Sequence, residues 1–158
     1  MNEELQIAVF HLTKEEYALP ITKVKSIIKL LPITKLPNSP LFMEGIVNLR
    51  GEIIPIVDLR SRFNLPIYPS TEDSRMIIVD FNRQTIGIIV DNIAEVIRVP
   101  VSEIDIPPAA AKLNTNYITG ICKYNARLIA LLDIDKVLTG EEAKELKTMN
   151  GGLANDKG

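Results

Sequence analysis

The feature that most restricts the fold of this chain is an internal repeat of short aliphatic segments. When the two halves of the chain are aligned, aliphatic positions of the first half fall on aliphatic positions of the second half. The offset between matched residues is 69 in the first part of the repeat and 75 in its later part. Representative matched positions are Phe10 with Val79, Leu19 with Ile88, Val24 with Ile93, Gly45 with Gly120, and Asp58 with Asp133. Because Gly and Asp match at the two ends of one segment, the pattern indicates a duplicated unit rather than a chance agreement.

Each repeat consists of Ile- and Val-rich runs separated by turn formers, which is the pattern of an all-β chain. The predicted strands cover 6–12, 17–21, 24–31, 45–50 and 52–59 in the first repeat, and 75–81, 85–91, 93–99, 117–124 and 127–133 in the second. The remaining predictions are Pro-containing excursions at the sheet edge over 32–40 and 100–108, a linker over 63–73, a helical turn within 109–116 and a C-terminal helix over about 135–149.

A five-stranded unit of roughly 60 residues buries too little apolar surface to be stable alone, so the two units should pack together. The sequence therefore predicts one domain over 1–158, built from two pseudo-symmetric five-stranded β-barrels at about 5–62 and 74–133, with a short C-terminal helix. A concave groove is expected where the barrels meet, and such grooves suit partner binding.

Charge and composition argue against several function classes. The net charge of -2 and the sequence pI of about 5.5 give no electrostatic footprint for nucleic acid. A small barrel that binds nucleic acid is the less favoured alternative, because it needs basic and aromatic residues interleaved on exposed strands and aromatic residues are 5% of the chain. The acidic and polar start of the chain at 1–4 and the short apolar runs predict a cytoplasmic protein with no signal peptide and no membrane insertion.

The sequence holds few groups that could carry out catalysis. His11 is the only histidine and lies in a predicted strand, where a polar residue on the solvent face is the simplest interpretation. Cys122 is the only cysteine and matches Val47 in the repeat, so a small buried hydrophobe is expected. Asp58 and Asp133 occupy equivalent hairpin ends, which favours a symmetric capping role over paired-carboxylate catalysis. We predict no catalytic residues, no metal site and no cofactor.

Segment 45–60 stands out as a hairpin around Gly51, which permits the positive φ of a tight turn. Asn48 and Arg50 both precede that turn on the same strand face. An exposed arginine on a rigid hairpin is suited to recognition, although a surface ion pair explains it equally well on this pattern alone. We expect Arg50→Ala to leave the fold intact, as for an exposed residue away from special backbone geometry.

The same hairpin resembles the hallmark segment of the CheW family of chemotaxis coupling proteins. Its two parts are Asn-Leu-Arg-Gly at 48–51 and Pro-Ile-Val-Asp-Leu-Arg at 55–60, and the resemblance extends over about 5–138. Supporting segments are Glu-Glu-Tyr at 15–17, Gly-Ile-Ile-Val-Asp at 87–91 and Tyr-Ile-Thr-Gly at 117–120. The resemblance implies two SH3-like barrels and a non-enzymatic adaptor or scaffold protein.

Two partners are implied by the resemblance: the regulatory domain of the histidine kinase CheA and the cytoplasmic tip of methyl-accepting chemoreceptors, in membrane-associated arrays. The partner-binding residues it implies are Val24, Ile28, Asn48, Arg50, Ile86, Val90 and Ile97. Ser26 departs from the Glu that many relatives carry at this position. The alternatives of related function are a CheV-like coupling domain, the kinase's own regulatory domain and a non-motility kinase pathway; chain length disfavours the first two.

Overall fold

The computed structural model of the chain describes residues 3–40, 42–63, 65–66, 69–106 and 117–138. The strands are β1 Glu4–Leu12, β2 Glu15–Pro20, β3 Val24–Lys29, β4 Met43–Leu49, β5 Glu52–Asp58, β6 Arg75–Phe81, β7 Gln84–Val90, β8 Asn92–Pro100, β9 Ile104–Asp105, β10 Ile118–Tyr124 and β11 Arg127–Leu132. The helical elements are the α-helix α1 at Leu59–Arg62 and 3-10 helices at Ile21–Lys23, Val101–Glu103 and Ile134–Lys136. No helix in these ranges is long and apolar enough to cross a membrane.

The strands form two sheets. One has the order β8-β1-β2-β11-β10-β9, and we call it the split lobe because it unites the N-terminal hairpin with the last strands of the chain. The other has the order β3-β6-β7-β5-β4, and we call it the continuous lobe because its strands follow one another along the sequence. Neighbouring strands are antiparallel except for the parallel pairs β2–β11 and β5–β7. The predicted all-β class with two β-domains is confirmed.

The strands group differently from the barrels expected at 5–62 and 74–133. Hairpin β1–β2 pairs with β8 and β11 of the second repeat, and hairpin β6–β7 pairs with β3 and β5 of the first. The predicted linker over 63–73 consequently joins two strands of one sheet. The chain passes between the lobes at Ile21–Lys23 and again at Asp91. Exchange is possible because equivalent strands of a duplicated unit offer equivalent edges for pairing.

The strand registers confirm the duplication. Ile7 pairs with Ile97 in the split lobe, and the equivalent residues Met76 and Ile28 pair in the continuous lobe. Gly45 opposes Ile56 just after a β-bulge, and Gly120 opposes Leu131 just after another. Even the parallel contacts correspond, with Ile56 opposite Gly87 and Leu131 opposite Ala18. The two lobes are therefore related by a pseudo-two-fold arrangement of strands.

Apolar side chains form three cores. The split-lobe core is formed by side chains of the split-lobe strands, and the continuous-lobe core is formed by side chains of the continuous-lobe strands. The third, the inter-lobe core, takes residues from both sheets. Its largest members include Phe10, Leu12, Leu19, Phe42, Leu59 and Phe81. Because β1 supplies Ile7 and Val9 to one core and Phe10 and Leu12 to another, both of its faces are buried, which explains its nearly uninterrupted aliphatic run.

The two hairpin ends are capped in the predicted way. Asp58 Oδ1 accepts the N–H of Arg60 at 3.0 Å, and Asp133 Oδ1 accepts the N–H of Asp135 at 3.0 Å. These bonds satisfy backbone donors at the start of α1 and of the 3-10 helix at Ile134–Lys136. Of the predicted C-terminal helix, 139–149 lies outside the described residues, as does the predicted helical turn at 109–116.

Each Pro-containing excursion returns to the sheet beside a glycine. Thr34 exchanges backbone hydrogen bonds with Ile46, and β9 pairs with β10 at the equivalent place. A Cβ on Gly45, which has φ +152°, would lie 2.4 Å from the carbonyl oxygen of Thr34. A Cβ on Gly120 would instead lie 2.5 Å from Cγ2 of Ile104. The repeat of glycine along the sequence thus reflects a repeated close approach of two chain segments.

We expect Gly45→Ala to lower the free energy of unfolding by about 3 kcal/mol, because the new methyl group meets a backbone oxygen at a strained positive φ. Gly120→Ala should cost only about 1 kcal/mol, since Gly120 has no positive φ and the atom that the new methyl group meets belongs to a side chain rather than to the backbone. Urea unfolding of both variants measures the difference. Equal losses would contradict this explanation of the repeated glycine.

Candidate partner-binding site

The turn between β4 and β5 presents Arg50 to solvent. Arg50 has φ +53° and Gly51 has φ +87°, as required for a two-residue hairpin turn with both central residues in the left-handed region. The side chain of Asn48 closes the turn, because its Oδ1 accepts the N–H of Gly51 at 2.8 Å. Asn48 therefore holds the turn in place. The expectation that Arg50 lies away from special backbone geometry is wrong, because a hairpin of this length requires positive φ.

The other predicted partner-binding residues divide into two groups. Val24 and Ile28 are half-buried on β3, an edge strand of the continuous lobe. Ile86 and Val90 belong to the inter-lobe core, and Ile97 belongs to the split-lobe core. These three side chains are at most 7% exposed, so they offer almost no surface to a partner. Ile86 and Val90 lie on β7, which is buried on both faces, whereas Ile97 lies on the core-facing side of β8, whose other face exposes Val96 and Arg98.

The structure does not gather the exposed candidates into one patch of the sheet. Val24 and Ile28 lie on β3 at one edge of the continuous lobe, whereas Arg50 follows β4 at the opposite edge. Ile97 lies in the other lobe altogether. The sequence candidates therefore mark two separate surfaces of the continuous lobe, supported from beneath by buried residues.

Cys122 and His11, the two side chains considered for catalysis, both lie in environments that serve the fold. Cys122 is fully buried in the split-lobe core, where burial raises the pKa of its thiol and disfavours the nucleophilic thiolate. His11 is half-buried and hydrogen-bonded through Nδ1 to Oδ1 of Asn92, with Glu16 Oε1 3.8 Å from its Nε2. Arg127 joins the same polar group through Glu16 and Glu95. Within the described ranges, no group of three or more His, Cys, Asp or Glu residues could hold a metal ion.

A half-buried carboxylate links the lobes at the second crossover. Asp91 Oδ1 accepts a hydrogen bond from Arg60 Nη1 at 3.1 Å, and its Oδ2 accepts the backbone N–H of Thr13. Thr13 lies in the β1–β2 turn of the split lobe, whereas Arg60 follows β5 of the continuous lobe. Asp58 also lies against the guanidinium, 3.3 Å from Nε. We call this arrangement the Asp91 bridge.

A second carboxylate links the lobes at the first crossover. Asp135 Oδ2 accepts a hydrogen bond from Lys23 Nζ at 2.9 Å, and its Oδ1 accepts the backbone N–H of Asn82 at 2.9 Å. Asn82 lies in the β6–β7 turn and is the repeat equivalent of Thr13. We call this arrangement the Asp135 bridge.

The two bridges occupy similar places in the repeat but carry their charges in the opposite order, and the offset of 69 aligns Asp91 with Thr22, the neighbour of Lys23. The residue after the hairpin is the base in one, Arg60, and the acid in the other, Asp135. The residue at the crossover is the acid in one, Asp91, and the base in the other, Lys23. Sequence reasoning missed both bridges. The repeat offsets align Arg60 with Asp135, but the partners become apparent only once the lobe packing is known.

Four rings form a further contact between the lobes. Phe63, just after α1, lies between Tyr17 and Tyr117 of the split lobe, with ring centroids 5.9 Å and 4.4 Å away. Tyr17 in turn stacks on Phe10. Burial raises the pKa of both tyrosine hydroxyls, so they remain protonated well above neutral pH. Offset aromatic stacking of this kind stabilises the packing of two elements beyond the apolar area buried.

The Asp135 bridge shifts the titration of both its partners. Burial by itself would raise the pKa of Asp135, but the hydrogen bonds from the Asn82 N–H and from Lys23 outweigh it and hold the pKa below the usual 3.8. The hydrogen bond to Asp135 raises the pKa of Lys23 above 10.5. A depressed carboxyl pKa stabilises the fold above the unfolded-state pKa, and this stabilisation is lost as pH falls through the folded-state pKa.

We therefore expect Asp135→Asn to lower the free energy of unfolding at pH 7 by no more than about 1 kcal/mol, because the pair is partly exposed. The difference from the wild type should shrink as the pH falls below the usual carboxyl pKa of 3.8 and disappear once the pH has passed the lower folded-state pKa of Asp135. Urea unfolding at a series of pH values measures this convergence. Asp105→Asn, which removes the exposed Lys123 pair, is the control. A difference unchanged in acid would count against the assigned ion pair.

Comparison with known proteins finds relatives that match most of the chain. A family model described as a CheW-like domain matches residues 6–142. The chemotaxis protein CheW of Helicobacter pylori is 36% identical over 138 residues, covering 87% of this chain and 84% of that protein. The CheW of Bacillus subtilis is 37% identical over 140 residues, covering 88% and 90%.

A solved structure agrees with the sequence relatives. The crystal structure of the scaffolding protein TtCheW from Thermoanaerobacter tengcongensis matches with a TM-score of 0.82 at 37% identity, covering 89% of this chain and 96% of that chain. The family-model match over 6–142 spans both bridges, the Arg50 turn and every strand of the two lobes except the first two residues of β1. On this agreement of family model, relatives and structure, the chain belongs to the CheW family.

Proposed function

We propose that this chain is a non-catalytic chemotaxis adaptor that couples methyl-accepting receptors to the histidine kinase CheA. The observation that carries the proposal is the match over 96% of a scaffolding protein's chain at 37% identity, since the likeness covers the entire two-lobed architecture. The relatives named chemotaxis protein CheW support the same process. The cytoplasmic location expected from the sequence remains a prediction.

The architecture suits an adaptor, because an adaptor must hold two binding surfaces in a fixed relation. Both proposed surfaces lie at opposite edges of the continuous-lobe sheet, which holds them in a fixed relation, and the inter-lobe core and the two bridges hold the split lobe against that sheet. The resemblance implies two partners, the regulatory domain of CheA and the receptor tip. Such a protein acts through its surfaces, which is consistent with the buried state of Cys122 and the hydrogen-bonded state of His11.

Arg50 is the residue we propose for receptor recognition. Its side chain is exposed, and its backbone is held in a two-residue turn that Asn48 closes. The guanidinium offers five donors in a fixed plane, which allows directional contacts with backbone carbonyls or carboxylates of a helical hairpin tip. Asn48 supports this contact by fixing the turn, so we assign it a positioning role.

Val24 and Ile28 form the second proposed surface, on the edge strand β3. Both are half-buried and leave part of their apolar surface available for contact. Val24 packs against the inter-lobe core, which contains Ile86 and Val90, and Ile28 packs against the continuous-lobe core, whereas Ile97 lies in the split-lobe core. We propose that Ile86, Val90 and Ile97 stabilise the lobes from within and make no direct contact with a partner.

We expect Arg50→Ala to weaken binding of a purified receptor signalling fragment about tenfold, because an interface arginine commonly contributes more than 1 kcal/mol. Binding to the CheA regulatory domain should remain within about twofold of the wild type. The fold should be retained, because arginine and alanine have a similar cost at positive φ. Titration of each partner with the variant measures both effects.

Arg83→Ala is the matched control, since Arg83 is also an exposed arginine at positive φ in a tight turn, that of β6–β7. It should bind both partners like the wild type. The proposal is refuted if folded Arg50→Ala protein binds the receptor fragment as tightly as the wild type. Failure of the wild-type protein to bind either partner would refute the adaptor function itself.

A further inference from the structure

The lobes are joined by two short crossovers, and each crossover carries one end of a bridge. Lys23 ends the first crossover and binds Asp135, whereas Asp91 forms the second crossover and binds Arg60. Each carboxylate also accepts a backbone N–H from a hairpin turn, Asp91 from the split lobe and Asp135 from the continuous lobe. Both carboxylates therefore resist rotation of one lobe against the other.

The two bridges differ sharply in exposure. The side chain of Arg60 is 5% exposed and that of Asp91 is 24% exposed. Those of Lys23 and Asp135 are 39% and 31% exposed. Water and salt ions therefore reach the Asp135 bridge and compete with it, whereas the Asp91 bridge is screened much less. Asp58 also contacts the guanidinium of Arg60 and holds it in its buried position.

We propose that Lys23 and Asp135 are positioning residues that form a salt-sensitive latch for the angle between the lobes, with the Asp91 bridge as the fixed pivot. When the latch is closed, Asp135 holds the β6–β7 turn of the continuous lobe against the end of the split-lobe hairpin β10–β11. When it opens, the lobes remain attached through the inter-lobe core and the pivot but adopt a wider range of angles. The inference concerns the chain alone and holds whether or not the proposed partners bind.

The raised pKa of Lys23 and the lowered pKa of Asp135 agree with a closed latch at neutral pH, since each charged form stabilises the other. Asp133 and Asp80 add negative charge near Lys23, so its side chain stays protonated and available. The latch partners are therefore both ionised under ordinary conditions, and ionic strength is the variable that weakens them.

The angle between the lobes is measurable by the distance between two spin labels, one on each lobe. Glu52 in the continuous lobe and Leu128 in the split lobe are exposed positions for labelled cysteines. The buried Cys122 is first replaced by valine, the residue found at the equivalent Val47. Pulsed electron spin resonance then gives the distance distribution in the whole chain.

We expect Asp135→Asn and Lys23→Met to broaden the distance distribution or move its mean by about 2 Å, the size of typical interface shifts. Lys23→Arg should keep the wild-type distribution, because it preserves the ion pair. Raising the salt concentration to 1 M should move the wild type towards the Asp135→Asn distribution and leave that variant unchanged.

Lys25→Met is the matched control, because the Lys25–Asp80 pair is also partly exposed but lies within the continuous lobe. It should leave the distribution unchanged. Thermal unfolding of each variant confirms that the protein being measured is folded. The latch is disproved if Asp135→Asn and Lys23→Met match the wild type, or if Lys25→Met changes the distance as much as they do.

Discussion

The packing of the N-terminal hairpin into the second half of the chain is the interaction on which the rest of the structure depends. Strands β1 and β2 lie between β8 and β11, so the split lobe cannot form without the first 20 residues. The same hairpin supplies Phe10, Leu12 and Leu19 to the inter-lobe core. The N-terminal hairpin therefore completes one sheet and also packs that sheet against the other. The two lobes are therefore not separate consecutive domains.

This arrangement explains how a small β-protein holds separate surfaces rigidly. A 60-residue barrel buries little apolar surface, but the third core adds apolar contacts that neither sheet makes alone. The crossovers are short, and each is fixed by a carboxylate that contacts both lobes. Exposed positions such as Arg50 can then act at a set distance from the other lobe. Their partners meet a surface that is already in place.

The sequence predicted the strands well because strand formation depends on local pattern. All ten predicted strands are present, and the matched glycines and aspartates have the repeated roles that their spacing suggested. The composition of each sheet could not be predicted. In a duplicated chain, β1–β2 meets the same residue types whether it pairs with β3 and β5 or with β8 and β11. Only the three-dimensional packing of the connections selects the exchanged pairing.

The candidate site was predictable to a smaller extent. The exposure of Arg50 followed from its place before a glycine turn, but its positive φ and the closing bond from Asn48 depend on hairpin geometry. Ile86, Val90 and Ile97 were predicted at a surface but are buried, because β7 is buried on both faces and Ile97 faces the split-lobe core. The inter-lobe bridges were missed because their members are far apart in sequence.

Hydrogen exchange in the native state tests the central claim most directly, by comparing protected amides of β1–β2 with those of β6–β7. If the lobes form one cooperative unit, both sets open with the same free energy as global unfolding; a distinctly lower value for one lobe would contradict the account.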